Sequence, residues 1–97
     1  MYKRATKVIN KTGLHARPAS DFTLKAKGFE SEIQIRNLDD EAAEAINAKS
    51  IMKILAAGIR SGAMIEISAD GGDEKSAVDS LVALVESGFG ENRIAEE

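Results

Sequence analysis

The chain has 97 residues, 43% of them hydrophobic and 30% charged, with a formal net charge of −3, no cysteine and a single histidine. That length suits one domain burying roughly 60–65% of its chain's surface, and the lack of cysteine excludes disulfides and thiolate metal sites. The acidic balance and 4% aromatic content argue against a nucleic-acid partner, and one histidine cannot assemble a zinc site.

In chain order, residues 2–9 alternate loosely as a strand, with Thr6 and Val8 on one side and Ala5, Lys7 and Ile9 on the other. Asn10 to Gly13 forms a turn. A helix is predicted from Arg17 to Lys27, burying Ala19, Phe22, Thr23 and Ala26 and stopped by Gly28, with Leu24 left exposed. Ser31 to Arg36 is a half-buried strand, in which Ile33 and Ile35 alternate with Glu32, Gln34 and Arg36, and residues 37–40 turn after it. Propensity alone makes one helix of residues 41–57, because Glu41 to Ile46 are mostly strong helix formers. Gly58 ends that helix and Gly62 precedes a last strand, where Ile65 and Ile67 face away from Glu66 and Ser68. Asp70 to Asp73 caps a final helix whose Val78, Leu81, Val82 and Val85 form a stripe at helical spacing, stopped by Gly88. Residues 91–97 are predicted to be a polar tail beyond a domain of residues 1–90. Helices on one face of an antiparallel sheet make a two-layer α+β fold.

The stretch with chemistry in it is Gly13-Leu14-His15-Ala16-Arg17-Pro18-Ala19-Ser20, which holds the only histidine and the only proline. A lone histidine is most often a surface or packing residue. Here its neighbours each have a separate use. Gly13 allows a tight turn, and Pro18 suits the first turn of a helix, so His15 should stand just before that helix beside its unpaired amides. Those amides form an anion site, and Arg17 offers a forked pair of donors. An imidazole nucleophile beside such a cradle is suited to carry a phosphoryl group. Backbone N–H groups of Ala16 and Arg17, with the Ser20 hydroxyl from the first turn, would complete the cradle.

These residues resemble the active-site motif of HPr, the histidine-containing phosphocarrier family of the bacterial phosphoenolpyruvate-dependent sugar phosphotransferase system. Lys49-Ser50-Ile51-Met52 is similar to the family's regulatory-serine segment, and Gly62 to Ala69 to its last strand. The resemblance runs from residue 1 to about residue 90. It implies an open-faced β-sandwich in which a four-stranded antiparallel sheet carries three helices on one face, in the order β-α-β-β-α-β-α. It therefore replaces helix by a short third strand near residues 41–46, with the second helix beginning near Asn47 to Ser50. The turn before it is lengthened, which costs little in a surface loop.

By the same resemblance, His15 accepts phosphate at Nδ1 from Enzyme I and passes it to IIA-type acceptor domains, with Arg17 stabilising the phosphoryl group. The protein is then a carrier and co-substrate, not an enzyme, with no cofactor. A serine kinase/phosphatase acting on Ser50 is a further implied partner, although a helix-capping serine is an equally ordinary use of that position. Ile51, Met52 and Leu55 are expected as partner contacts, with Ile54 facing inward. No apolar run approaches the roughly 20 residues that cross a bilayer, and no leader is evident, so a cytoplasmic monomer is expected. Two alternatives stay open. Arg36-Asn37, the acidic turn and Ser87-Gly88-Phe89 resemble the nitrogen-related regulatory branch of the family, and a small-molecule-binding regulatory module could use the same pattern of elements. A paralogue that only binds transcription factors through Ser50 is disfavoured, because His15 is present.

Overall fold

The computed structural model describes residues 1–90; the polar tail expected over 91–97 lies outside them. Four strands, β1 (Tyr2–Lys7), β2 (Glu32–Asn37), β3 (Ile46–Asn47) and β4 (Met64–Asp70), form one antiparallel sheet in the order β1-β4-β2-β3. Three helices, α1 (Ala16–Lys27), α2 (Ile51–Ala57) and α3 (Glu74–Glu86), cover one face, and a 3-10 turn at Gly88–Gly90 follows. The order β-α-β-β-α-β-α makes this the open-faced α+β sandwich that the resemblance implied.

The layers form because the alternating residues of the strands and the stripes of the helices face each other. Ile33 and Ile35 of β2, Ile65 and Ile67 of β4, Phe22 of α1, and Val78, Leu81, Val82 and Val85 of α3 are all buried. Burying each of the larger side chains contributes about 1.5–3 kcal/mol. Thr6 and Val8 point inward as expected, although β1 ends at Lys7 and Val8 continues by bonding to Ala63. Tyr2 and Arg4 both donate to Asp79 Oδ1, each at 3.0 Å, which ties edge strand β1 to α3.

Propensity misleads in residues 41–57. Only Ile51–Ala57 is helical there, and residues 41–45 are neither helix nor strand. Side chains intercept the backbone first: Asp40 Oδ1 accepts from Ala42 N–H at 3.0 Å, and Asn47 Oδ1 from Lys49 N–H at 2.9 Å. Such local bonds compete with helix hydrogen bonding. The edge of β2 supplies the rest, taking Ile46 and Asn47 opposite Ile35 and Gln34. Strand pairing there is shorter than expected and begins only at Ile46.

The start of α3 also departs from expectation. Asp73 occupies the N-cap position, but its side chain makes no capping bond. Its carboxylate turns to the α1–β2 connection and accepts from Glu30 N–H (2.9 Å), Ser31 N–H (3.0 Å) and the Ser31 hydroxyl. Glu74 takes over at the helix start, accepting from Gly71 N–H at 3.1 Å. The Ser31 hydroxyl, followed by the backbone amides, holds the Asp73 carboxyl below its ordinary range. A carboxylate whose folded pKa is depressed adds stability above its unfolded pKa, and that contribution is lost as pH falls through the folded value. Asp73→Ala is therefore expected to melt below the wild type at neutral pH, with the gap closing in acid. Thermal melting from pH 7 down to pH 2 checks it, and a gap of constant size across that range would contradict it.

Candidate functional site

The loop before α1 is held from two sides. Leu14 is fully buried, and its N–H donates to Ile59 O at 3.0 Å, in the connection that follows α2. Gly13 has φ +70, and a Cβ there would lie 2.6 Å from Ile59 O. The backbones thus approach too closely for any side chain, and the left-handed φ itself favours glycine. From the other side, the buried Asn10 amide donates to Gly13 O at 2.9 Å.

This anchoring leaves His15 at the N-cap of α1 in extended conformation (φ −128, ψ 162), half-buried and with no side-chain capping bond. Its imidazole is not spent on closing the helix. Ala16, counted in the helix, has φ +51, so the right-handed turn begins at Arg17, as the sequence predicts. A left-handed alanine costs roughly 1–2 kcal/mol. Here it swings the chain from the extended His15 into the helix. The N–H groups of Ala16 and Arg17 lie in the first turn, where no intrahelical acceptor exists. That turn carries no acidic residue to occupy them. Pro18 is buried just inside the helix.

Arg17 is extended into solvent, its side chain 88% exposed, with Nε 3.9 Å from Asp21 Oδ2. Ser20 is half-buried, but it is the fifth residue of α1. It stands three residues beyond Arg17, at the end of the turn that begins there. The other predicted residues gather on α2. Ser50 is its N-cap, and its hydroxyl accepts from Lys53 N–H at 3.3 Å. Gly58 closes the helix in the left-handed conformation that glycine allows. Ile54 is buried as expected, Ile51 is half-buried, Leu55 is 38% exposed and Met52 74% exposed. Because α2 packs against α1 and Ile59 accepts the Leu14 amide, the α2 surface and the His15 loop belong to one braced unit.

The bracing roles of Asn10 and Ile59, and the pairing of Asp21 with Arg17, are not among the roles read from the sequence. Asn10 and Ile59 hold the loop by backbone and amide bonds that leave no sequence signature. Asp21 does leave one, since it stands four residues after Arg17 on the same helix face. Among the described residues no group of His, Cys, Asp and Glu could hold a metal ion, and no helix is long and apolar enough to cross a membrane.

The open-faced sandwich and the histidine at the start of its first helix agree with the phosphocarrier class that names its HPr relatives. Residues 2–87 match the family model described as "PTS HPr component phosphorylation site". The chain belongs to the HPr family of the phosphotransferase system. It is 40% identical over 85 residues to the phosphocarrier protein HPr of Haemophilus influenzae, covering 88% of this chain and 95% of that protein. It superposes on the crystal structure of HPr-C-His from Thermoanaerobacter tengcongensis with a TM-score of 0.86 and 42% identity, covering 95% of this chain and 99% of that one. It is also 38% identical to the multiphosphoryl transfer protein of Vibrio cholerae over 88% of its own residues, but spans only 21% of that protein's length.

Proposed function

We propose that His15 Nδ1 is the phosphoryl acceptor of this carrier, taking the group from phosphorylated Enzyme I and handing it to acceptor domains of the IIA type. On uptake the Nδ1 lone pair forms a bond to phosphorus as the donor's own bond to phosphorus breaks, its electron pair staying with the donor; on hand-over the acceptor attacks phosphorus, the Nδ1–P bond breaks and its pair returns to Nδ1. The residues divide the remaining work. The Ala16 and Arg17 amides and the Arg17 guanidinium offset the charge of the phosphoryl oxygens, with the Ser20 hydroxyl as an outer donor. No second acid or base is needed, because the partner supplies the rest of the transfer site. The observation that carries the reading is the half-buried His15 at the N-cap, free of any capping bond, beside a first turn without carboxylates. Incubation with Enzyme I and labelled phosphoenolpyruvate tests it. Acid-labile label on His15 is expected; acid-stable label, or none, overturns the assignment. Offering the labelled protein to acceptors of the sugar and nitrogen branches assigns the branch.

The carrier domain comprises residues 1–90 and acts in the cytoplasm as a monomer. Its partners dock on Ile51, Met52 and Leu55 beside the histidine loop, where a flexible, polarizable methionine adapts to several surfaces. Ser50 is a regulatory site for a serine kinase/phosphatase, because a phosphate beside these apolar residues would be desolvated against any partner. Both ideas share one prediction. Met52→Asp and Ser50→Asp should each slow phosphoryl uptake from Enzyme I by at least about tenfold, the size of an interface hot spot. Melting should hardly change, since Met52 is exposed and aspartate caps helices as well as serine does. Unaltered uptake in both variants would rule the α2 surface out as the docking site.

A further inference from the structure

We propose that Asp21 is a positioning residue that competes with the phosphoryl group for Arg17 and so keeps phosphorylated His15 from becoming too stable a product. This rests on the carrier reading above. Asp21 is the only carboxylate in α1, and Arg17 makes with it its one ion pair among the described residues.

The pair is poorly built for stability. Its Nε–Oδ2 separation of 3.9 Å is beyond hydrogen-bonding distance, and the side chains are 88% and 38% exposed. The cation precedes the anion at i,i+4, which is the less favourable order against the helix dipole. An exposed pair of that kind adds little to folding. Asp21 is nevertheless the partner of the Arg17 charge while His15 is unmodified. Asp21, less than half as exposed as Arg17, is the fixed partner.

When His15 acquires a phosphoryl group, its oxygens offer Arg17 forked, charge-assisted bonds that the single long contact cannot match. Arg17 moves to the phosphoryl group, and Asp21 is left as an unpaired anion about 6 Å along the helix axis from Arg17. Both parts of that exchange count against the phosphorylated form. Arg17 must be released from Asp21, and the freed carboxylate repels the new charge. Asp21 therefore raises the tendency of His15 to give the group up, as a relay requires. Arg17 stabilises the phosphoryl group, and Asp21 limits by how much.

The test is the equilibrium of phosphoryl exchange, measured with Enzyme I at a phosphoenolpyruvate-to-pyruvate ratio poised so that half of the wild type is phosphorylated. Docking on Enzyme I changes how fast that equilibrium is reached but not where it lies. Asp21→Asn is expected to shift it roughly two- to fivefold toward the phosphorylated protein, the size of one charge removed at such a distance near water. Asp21→Glu should restore the wild-type position. The shift should fade in about 1 M salt, where screening reaches only about 3 Å, and shrink in an Arg17→Ala background. Equal equilibria for wild type and Asp21→Asn, or a shift that survives both salt and Arg17→Ala, would overturn the role of Asp21 while leaving the carrier intact. A wild type that takes no label removes the carrier reading and this proposal together.

Discussion

Replacing His15 with alanine is expected to abolish acid-labile phosphorylation by Enzyme I and phosphoenolpyruvate while leaving the protein folded. The two halves of that expectation come from the same feature. His15 stands at the N-cap of α1 but contributes no side-chain bond to it. Caps that do bond cost about 1 kcal/mol when truncated, so this one should cost less, and the urea midpoint should hardly move. The chemistry, in contrast, has no substitute. The chain contains no other histidine or cysteine to receive a phosphoryl group in nitrogen- or sulfur-linked form. Acid-labile label surviving in His15→Ala would end the assignment. Loss of label together with loss of the fold would point instead to a histidine retained for packing.

Gly13→Ala is expected to give the reverse: His15 present, yet both fold and phosphorylation impaired. The added methyl would sit 2.6 Å from Ile59 O and 2.9 Å from the next backbone atoms, Arg60 C and Ser61 N. None of these belongs to a side chain that could rotate away. The left-handed backbone at φ +70 adds roughly 1–2 kcal/mol of conformational cost for any residue with a Cβ. Together these should destabilise the protein by about 2–4 kcal/mol, in the range of changes that break a special backbone position. Relief requires moving the 13–16 loop away from the α2–β4 connection. That breaks the Leu14–Ile59 bond and turns His15 out of line with the first-turn amides. Urea unfolding measures the first effect and the labelling rate the second. A variant that unfolds and labels like the wild type would show that the loop does not need this close approach.

Both substitutions fall in a motif that is legible in the sequence alone. Gly13, His15, Arg17 and Pro18 announce themselves by residue type, because each has a narrow physical use: positive φ, nucleophilic nitrogen, planar fork, helix start. The α1 and α3 stripes and the alternation in β2 and β4 were legible for a related reason, since burial on one face imposes a period that the sequence must carry. Residues 41–57 were not. Their alanines and glutamates favour helix, and only the open edge of β2 and the Asp40 and Asn47 side chains turn part of the segment into strand and turn. Asp73 is a similar case. An aspartate before a helix normally caps it, but here Ser31 and the Glu30 amide, more than forty positions away, lie within its reach.

By itself, then, the amino-acid sequence marked α1, α3, β2 and β4 with the faces they bury, and His15 as the one imidazole, because period and residue chemistry are local properties. Tertiary structure alone decided how the histidine loop is braced, through Ile59 and Asn10, and how far the third strand extends. Those outcomes depend on backbone groups distant in sequence meeting in space, and a backbone amide or carbonyl looks the same in every residue until the fold chooses its partner.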